Sequence, residues 1–122
     1  MKHLINRLKI PVNDIEKAKK FYSTILGGIE FHDMNMANSN YALFPMDDKF
    51  NCGTFVQSEF HKPLSDGVTV YFDGGQDLND IMKQVGKAGG QIIMSKTFTG
   101  KEAGFVGIFL DCEGNRIGLQ HL

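Results

Sequence analysis

No apolar stretch in this chain of 122 residues approaches the roughly 20 residues that a membrane-spanning helix needs. Its 13 basic residues are scattered, so no run of charge offers a grip for nucleic acid or an anionic membrane. Cysteine is scarce. Cys52 and Cys112 form no Cys-x-x-Cys pair and adjoin no histidine cluster, so they read as small semi-buried side chains, free thiols in a reducing cytoplasm. No Gly-x-Ser-x-Gly elbow supports a nucleophilic serine, and Cys112 has no evident base. The glycine pairs at 27–28, 74–75 and 89–90 serve turns and caps, because they do not make a Gly-x-Gly-x-x-Gly phosphate loop. The first ten residues, MKHLINRLKI, mix charged with apolar side chains and lack the apolar core of a signal peptide.

What is present suits a soluble globular domain: 42% hydrophobic residues, 22% charged and a net charge of −1. The length allows a real core. It also holds a repeat. RLKIPVNDIEKAKKFYSTILGG, from Arg7 to Gly28, matches TVYFDGGQDLNDIMKQVGKAGG, from Thr69 to Gly90, in the order of its parts. Each begins with an alternating strand, Leu8/Ile10/Val12 or Val70/Phe72, and reaches an Asp followed by an apolar residue. Asp14 and Asp77 are placed to cap helices, their carboxylates accepting from first-turn N–H groups. Ile15, Ala18, Phe21, Tyr22 and Ile25 then share one face of a 3.6-residue period, as do Leu78, Ile81, Met82, Val85 and Ala88. Both helices close on Gly-Gly, where a left-handed residue is cheap.

Three strand-like runs follow each helix: GIEFHDM, YALFPM and CGTFVQSEF, then GQIIMSKTF, GFVGIFLD and RIGLQHL. Turn formers separate them, and EFHKPLSDG with Pro63 reads as the connector between halves. The expected organisation is one domain, residues 1–122, of two βαβββ modules at 3–58 and 66–122.

IPVNDIEKAKKFYSTILG, DLNDIMKQVGKAGG and FLDCEGNRIGLQ carry a resemblance to the vicinal oxygen chelate superfamily of glyoxalase I, extradiol dioxygenases and bleomycin-resistance proteins. The last of these is similar to the family's Asp-Pro-Asp/Glu-Gly-Asn turn and final strand, with Cys112 in place of proline. The resemblance implies an α+β fold, glyoxalase/bleomycin resistance-like, whose modules form a half-open eight-stranded curved sheet around a cavity, with two chains often associating as a homodimer.

In the family's metal enzymes, His, Glu or Gln from each module's first and last strands hold a divalent ion on the concave face. Here the resemblance puts Arg7 and Thr69 at the first-strand positions, Gly118 in RIGLQ where a Glu is usual, and the remaining position within TFVQ, at Phe55. A guanidinium has no lone pair to offer and repels a cation. The metal site reads as dismantled, so no metal and no cofactor are expected.

His3, His32, His61 and His121 read as ordinary solvated histidines, and Glu59 with His61 as too sparse a pair for a metal. Period-2 alternation sends Leu8, Ile10, Val70 and Phe72 to the helix-covered face and leaves Arg7, Lys9, Thr69 and Tyr71 toward the cavity. Arg7 and Lys9 either reach solvent at the rim or, flanked by Tyr71, recognise a carboxylate or other anion. Tyr41, Phe44 and Phe105 are candidates for the cavity wall, or for core. The reading is a metal-free cavity binding a small anionic organic molecule, with a modest isomerase or lyase step open to it. The alternatives are a resistance-type protein that only sequesters its ligand, and a divalent-metal lyase or dioxygenase with noncanonical ligands. Neither nucleic acid nor membrane is an expected partner.

Overall fold

The computed structural model describes residues 4–36, 38–45 and 53–122, so His3 and Cys52 fall outside it. The first half runs β1 (Leu8–Pro11), α1 (Ile15–Ile25), β2 (His32–Met36), β3 (Ser39–Leu43) and β4 (Gly53–Gln57). The second repeats it as β5 (Val70–Asp73), α2 (Asn79–Ala88), β6 (Gln91–Phe98), β7 (Phe105–Leu110) and β8 (Arg116–His121). The eight strands form two four-stranded sheets, ordered β1-β4-β3-β2 and β5-β8-β7-β6. In each sheet the first strand pairs parallel with the last, and the other pairs are antiparallel. Among the described residues β1 and β5 do not adjoin; the halves meet instead through α1 and α2.

The helices form for the reasons legible in the chain. Asp14 caps α1, its carboxylate accepting from Lys17 N at 3.1 Å. All five residues of its expected apolar face, Ile15, Ala18, Phe21, Tyr22 and Ile25, are buried. In the second half Asp77 stands further outside its helix than a simple cap: it accepts from Asn79 N at 3.0 Å and pairs with Lys96 at 2.9 Å. Gly89, at φ 109°, ends α2 in the left-handed region that glycine tolerates.

The buried apolar residues of both halves make one continuous core, with α1 at its centre. Tyr22 stacks on Phe55 of β4 at 4.5 Å and meets Phe72 of β5 edge-on at 5.9 Å, while Phe21 reaches Phe109 of β7 at 6.2 Å. Each such side chain contributes about 1.5–3 kcal/mol through burial.

The Tyr22 hydroxyl, fully buried, donates to Asp111 Oδ2 at 2.6 Å. Asp111 also accepts from Glu113 N, Asn115 N and Asn115 Nδ2, so its buried carboxylate is well satisfied. Burial, and then the Asp111 charge, push the Tyr22 phenol well above its usual pKa and keep it a donor. Asn115 carries the link outward, donating to Pro11 O at 2.7 Å and accepting from Leu64 N at 3.1 Å. One turn thus ties α1, β1 and the connector together. Tyr22→Phe should lower stability by about 1.5–3 kcal/mol, the range for a hydrogen bond to a charged group, with an unchanged denaturant slope in urea unfolding.

Candidate functional site

Arg7, Lys9, Tyr41, Phe44, Thr69, Tyr71 and Phe105 do not converge on one cavity. Lys9 and Tyr41 do meet: the Lys9 ammonium lies 5.5 Å from the Tyr41 ring centre, on the face of the first sheet turned away from α1. Arg7 is exposed just ahead of β1. Thr69 and Tyr71 occupy the matching face of the second sheet. Phe44 turns the other way, meeting Phe55 at 5.1 Å and Phe72 at 5.7 Å on the core side. Phe105 also faces inward, stacked on His121 at 5.1 Å beneath the Lys96 ammonium. Alternation separates these two rings from the rest, because each lies in register with core-facing neighbours.

Gly118 is bare because Tyr71 covers it. The two residues are partners in the parallel β5/β8 ladder, and a Cβ on Gly118 would run into the Tyr71 ring at Cδ1. The aromatic ring lies across the glycine and takes the space a carboxylate side chain would need. The repeat then identifies the equivalent residue in the first sheet. Lys9 pairs with Thr54 as Tyr71 pairs with Gly118, so the expected position is Thr54, and the assignment to Phe55 is corrected. Phe55 is fully buried against Tyr22, on the opposite face.

These side chains do not fit a divalent ion. Arg7 is a cation, Gly118 has no side chain, the Thr54 hydroxyl donates to Phe55 O, and the Thr69 hydroxyl already accepts from Arg116. Among the described residues no cluster of three or more His, Cys, Asp or Glu could hold a metal. His32 is exposed, and His61 hydrogen-bonds Ser58 through Nδ1 at 2.6 Å. His121 departs from the expectation of a solvated surface residue: it is 8% exposed, packed under Phe105, because β8 turns it toward the core.

Arg116 is the residue that the sequence reading missed. It lies two residues before Gly118, so the same alternation puts it on the Tyr71 face. Its Nη2 donates to Thr69 Oγ1 at 2.9 Å and Gly67 O at 3.2 Å, both neutral acceptors, and its Nε is buried without a partner. The guanidinium borders a groove of about 320 Å³ between β1, the connector, β5 and the start of β8. Lys9 and Lys62 also line it, with Asp66 as the one acid. Leu8, Ile10, Val70 and Ile117 give it apolar walls.

The sequence profile of the Glyoxalase/Bleomycin resistance protein/Dioxygenase superfamily matches residues 4–119. The chain belongs to this superfamily. Solved structures with the same fold include glyoxalase I from Zea mays in its V278E form, with TM-score 0.71 and 16% identity over 93% of this chain. That match covers only 44% of the maize chain, so this protein spans less than half its length. Another is a glyoxalase/bleomycin resistance protein from Albidiferax ferrireducens T118, with TM-score 0.64, 20% identity and coverage of 98% of this chain and 99% of that one. A third is TnmS3, an antibiotic binding protein from Streptomyces sp. CB03234, with TM-score 0.64, 21% identity and coverage of 98% and 95%. No curated protein is matched by the sequence.

Within this superfamily fold, Cys112 takes the turn position where proline is usual, and it is chemically quiet. Burial, then the Asp111 and Glu113 carboxylates, push its thiol up to about 12. Iodoacetamide at pH 8 should label Cys112 on the order of a thousandfold more slowly than a free cysteine, read from the mass of its peptide. Gly118→Ala should force the half-exposed Tyr71 ring aside, shifting its ring proton resonances and costing about 0.5–1 kcal/mol of lost cross-strand packing. Unchanged Tyr71 resonances would contradict the covering contact.

Proposed function

We propose that this chain is a metal-independent small-molecule-binding member of the superfamily that takes an anionic organic ligand. The observation that carries the reading is the set of side chains at the superfamily's ligand positions: a guanidinium, two committed hydroxyls and a glycine covered by tyrosine. Lone-pair donors are missing there, and cations stand in or near their place, at Arg7, Lys9 and Arg116. Cationic donors in a partly dry groove favour a carboxylate or another oxyanion. Tyr71, half-exposed, and Tyr41, partly buried, offer ring surface near them for the body of the ligand.

Sequestration without turnover is the favoured form of this function. The fold likeness to an antibiotic binding protein supports it, as does the quiet thiol at Cys112. The free Cys112 suits a reducing compartment such as the cytoplasm, and among the described residues no helix is long and apolar enough to cross a membrane.

A homodimer belongs to the same proposal. Among the described residues β1 is an outer strand with one unpaired edge, and Leu4 and Ile5 just before it expose large apolar side chains. Sedimentation equilibrium at micromolar concentration should give twice the 13.6 kDa chain mass. Elemental analysis of purified protein should find zinc, nickel, iron and manganese well below one ion per chain. A stoichiometric ion would overturn the metal-independent reading, and a monomer the dimer.

A further inference from the structure

Three cationic residues line the groove between the halves, and among the described residues none of them meets a carboxylate. Lys9, Lys62 and Arg116 line it with a single acid, Asp66; the Lys9 ammonium turns back over the Tyr41 ring, and among the described residues no carboxylate lies within ion-pair distance of any of the three. Elsewhere the chain does pair its cations where acids are near, as with Lys19 on Asp33 and Glu16, or Lys96 on Asp77. Arg116 is the most committed to the groove. Its hydroxyl and carbonyl acceptors fix the guanidinium plane without cancelling its charge, and its buried Nε–H has no acceptor. A charge held between apolar walls projects a field that solvent screens poorly.

The rest of the groove is suited to hydrocarbon. Leu64 and Val68 on the connector are 69% and 86% exposed at its border, and Leu8, Ile10, Val70 and Ile117 stand behind them. A small inorganic anion would leave that surface wet, and an uncharged hydrocarbon would leave the Arg116 and Lys62 charges unanswered. The volume of about 320 Å³ lies within the range of small-ligand sites.

From this charge complementarity we infer that the groove takes an amphipathic organic acid. Its carboxylate is held by Arg116 with Lys62, and its aliphatic or aryl body covers Leu64 and Val68. The inference rests on the small-molecule-binding reading above and names its ligand class and its anchor. The anchor is Arg116, and the site is the seam between the halves.

Calorimetric titration of the full chain with octanoate and 1-octanol separates the possibilities. Octanoate should bind, octanol should bind at least about tenfold more weakly, and added salt should weaken octanoate alone. Arg116→Gln should weaken octanoate about tenfold or more. Lys62→Glu, at an exposed residue that holds no other element in place, should weaken it at least severalfold with unchanged melting temperature. Lys101→Gln, in the distant β6–β7 turn, controls for net charge and should leave octanoate affinity as it was. Octanol binding as tightly as octanoate overturns the inference, as does octanoate binding that both groove variants leave intact. If octanoate fails to bind while other organic molecules in a mixed-charge panel succeed, the groove assignment falls and the broader function stands. If nothing in the panel binds, both fall.

Discussion

The Tyr22 hydroxyl reaches out of α1 to a buried carboxylate in the last turn of the second half, and much of the molecule is positioned by that contact. A buried aspartate is costly unless its lone pairs are filled, and Asp111 fills them from Tyr22, from two backbone N–H groups and from Asn115. The DCEGN turn therefore closes in one way. Asn115 then has one amide nitrogen for Pro11 and one oxygen for Leu64, which pins β1 and the connector to the start of β8. The aromatic contacts of Phe21 and Tyr22 with Phe55, Phe72 and Phe109 give this lock its apolar surroundings, where each hydrogen bond counts for more.

The candidate site inherits its shape from the same turn. Arg116 follows Asn115 directly, so the residue that carries the unneutralised charge is held where the connector and β1 converge. Two positions further along β8 comes Gly118, under the ring of Tyr71. In this superfamily fold the same stretch of strand can present a carboxylate to a metal. Here the stretch carries a glycine covered by tyrosine and an arginine, and the proposed anion site rests on that exchange.

The duplication, both helices and all eight strands were legible in the chain because local signals repeat there: an Asp before an apolar 3.6-residue period, Gly-Gly after it, and turn formers between alternating runs. The site was only half legible. Alternation correctly sent Tyr71 away from Phe72 and Lys9 away from Ile10. The same alternation places Arg116 beside Gly118, two residues apart on β8. Phe55 and Thr54 differ by one residue, and a one-residue error in register exchanges the two faces of a strand. Only the ladder pairing of Lys9 with Thr54 decides between them. Phe44 and Phe105 fall on the core-facing side by the same alternation, although an aromatic residue type by itself suits a pocket wall and a core equally well. His121 lies next to the last residue, where a surface position is the expectation, but β8 carries it into the core beside Phe105.

The central claim is that an anion enters at the seam, against the Arg116 guanidinium, whose Nε–H is buried without a partner. That proton has its own resonance in a nitrogen-resolved NMR spectrum, so an octanoate titration followed at Arg116 Nε–H is the most direct test. The account predicts a saturable shift of that signal together with the backbone amides of Leu64, Val68 and Ile117. An unmoved Arg116 signal, with shifts confined to the core-side rings of Phe44 and Phe72, would contradict it.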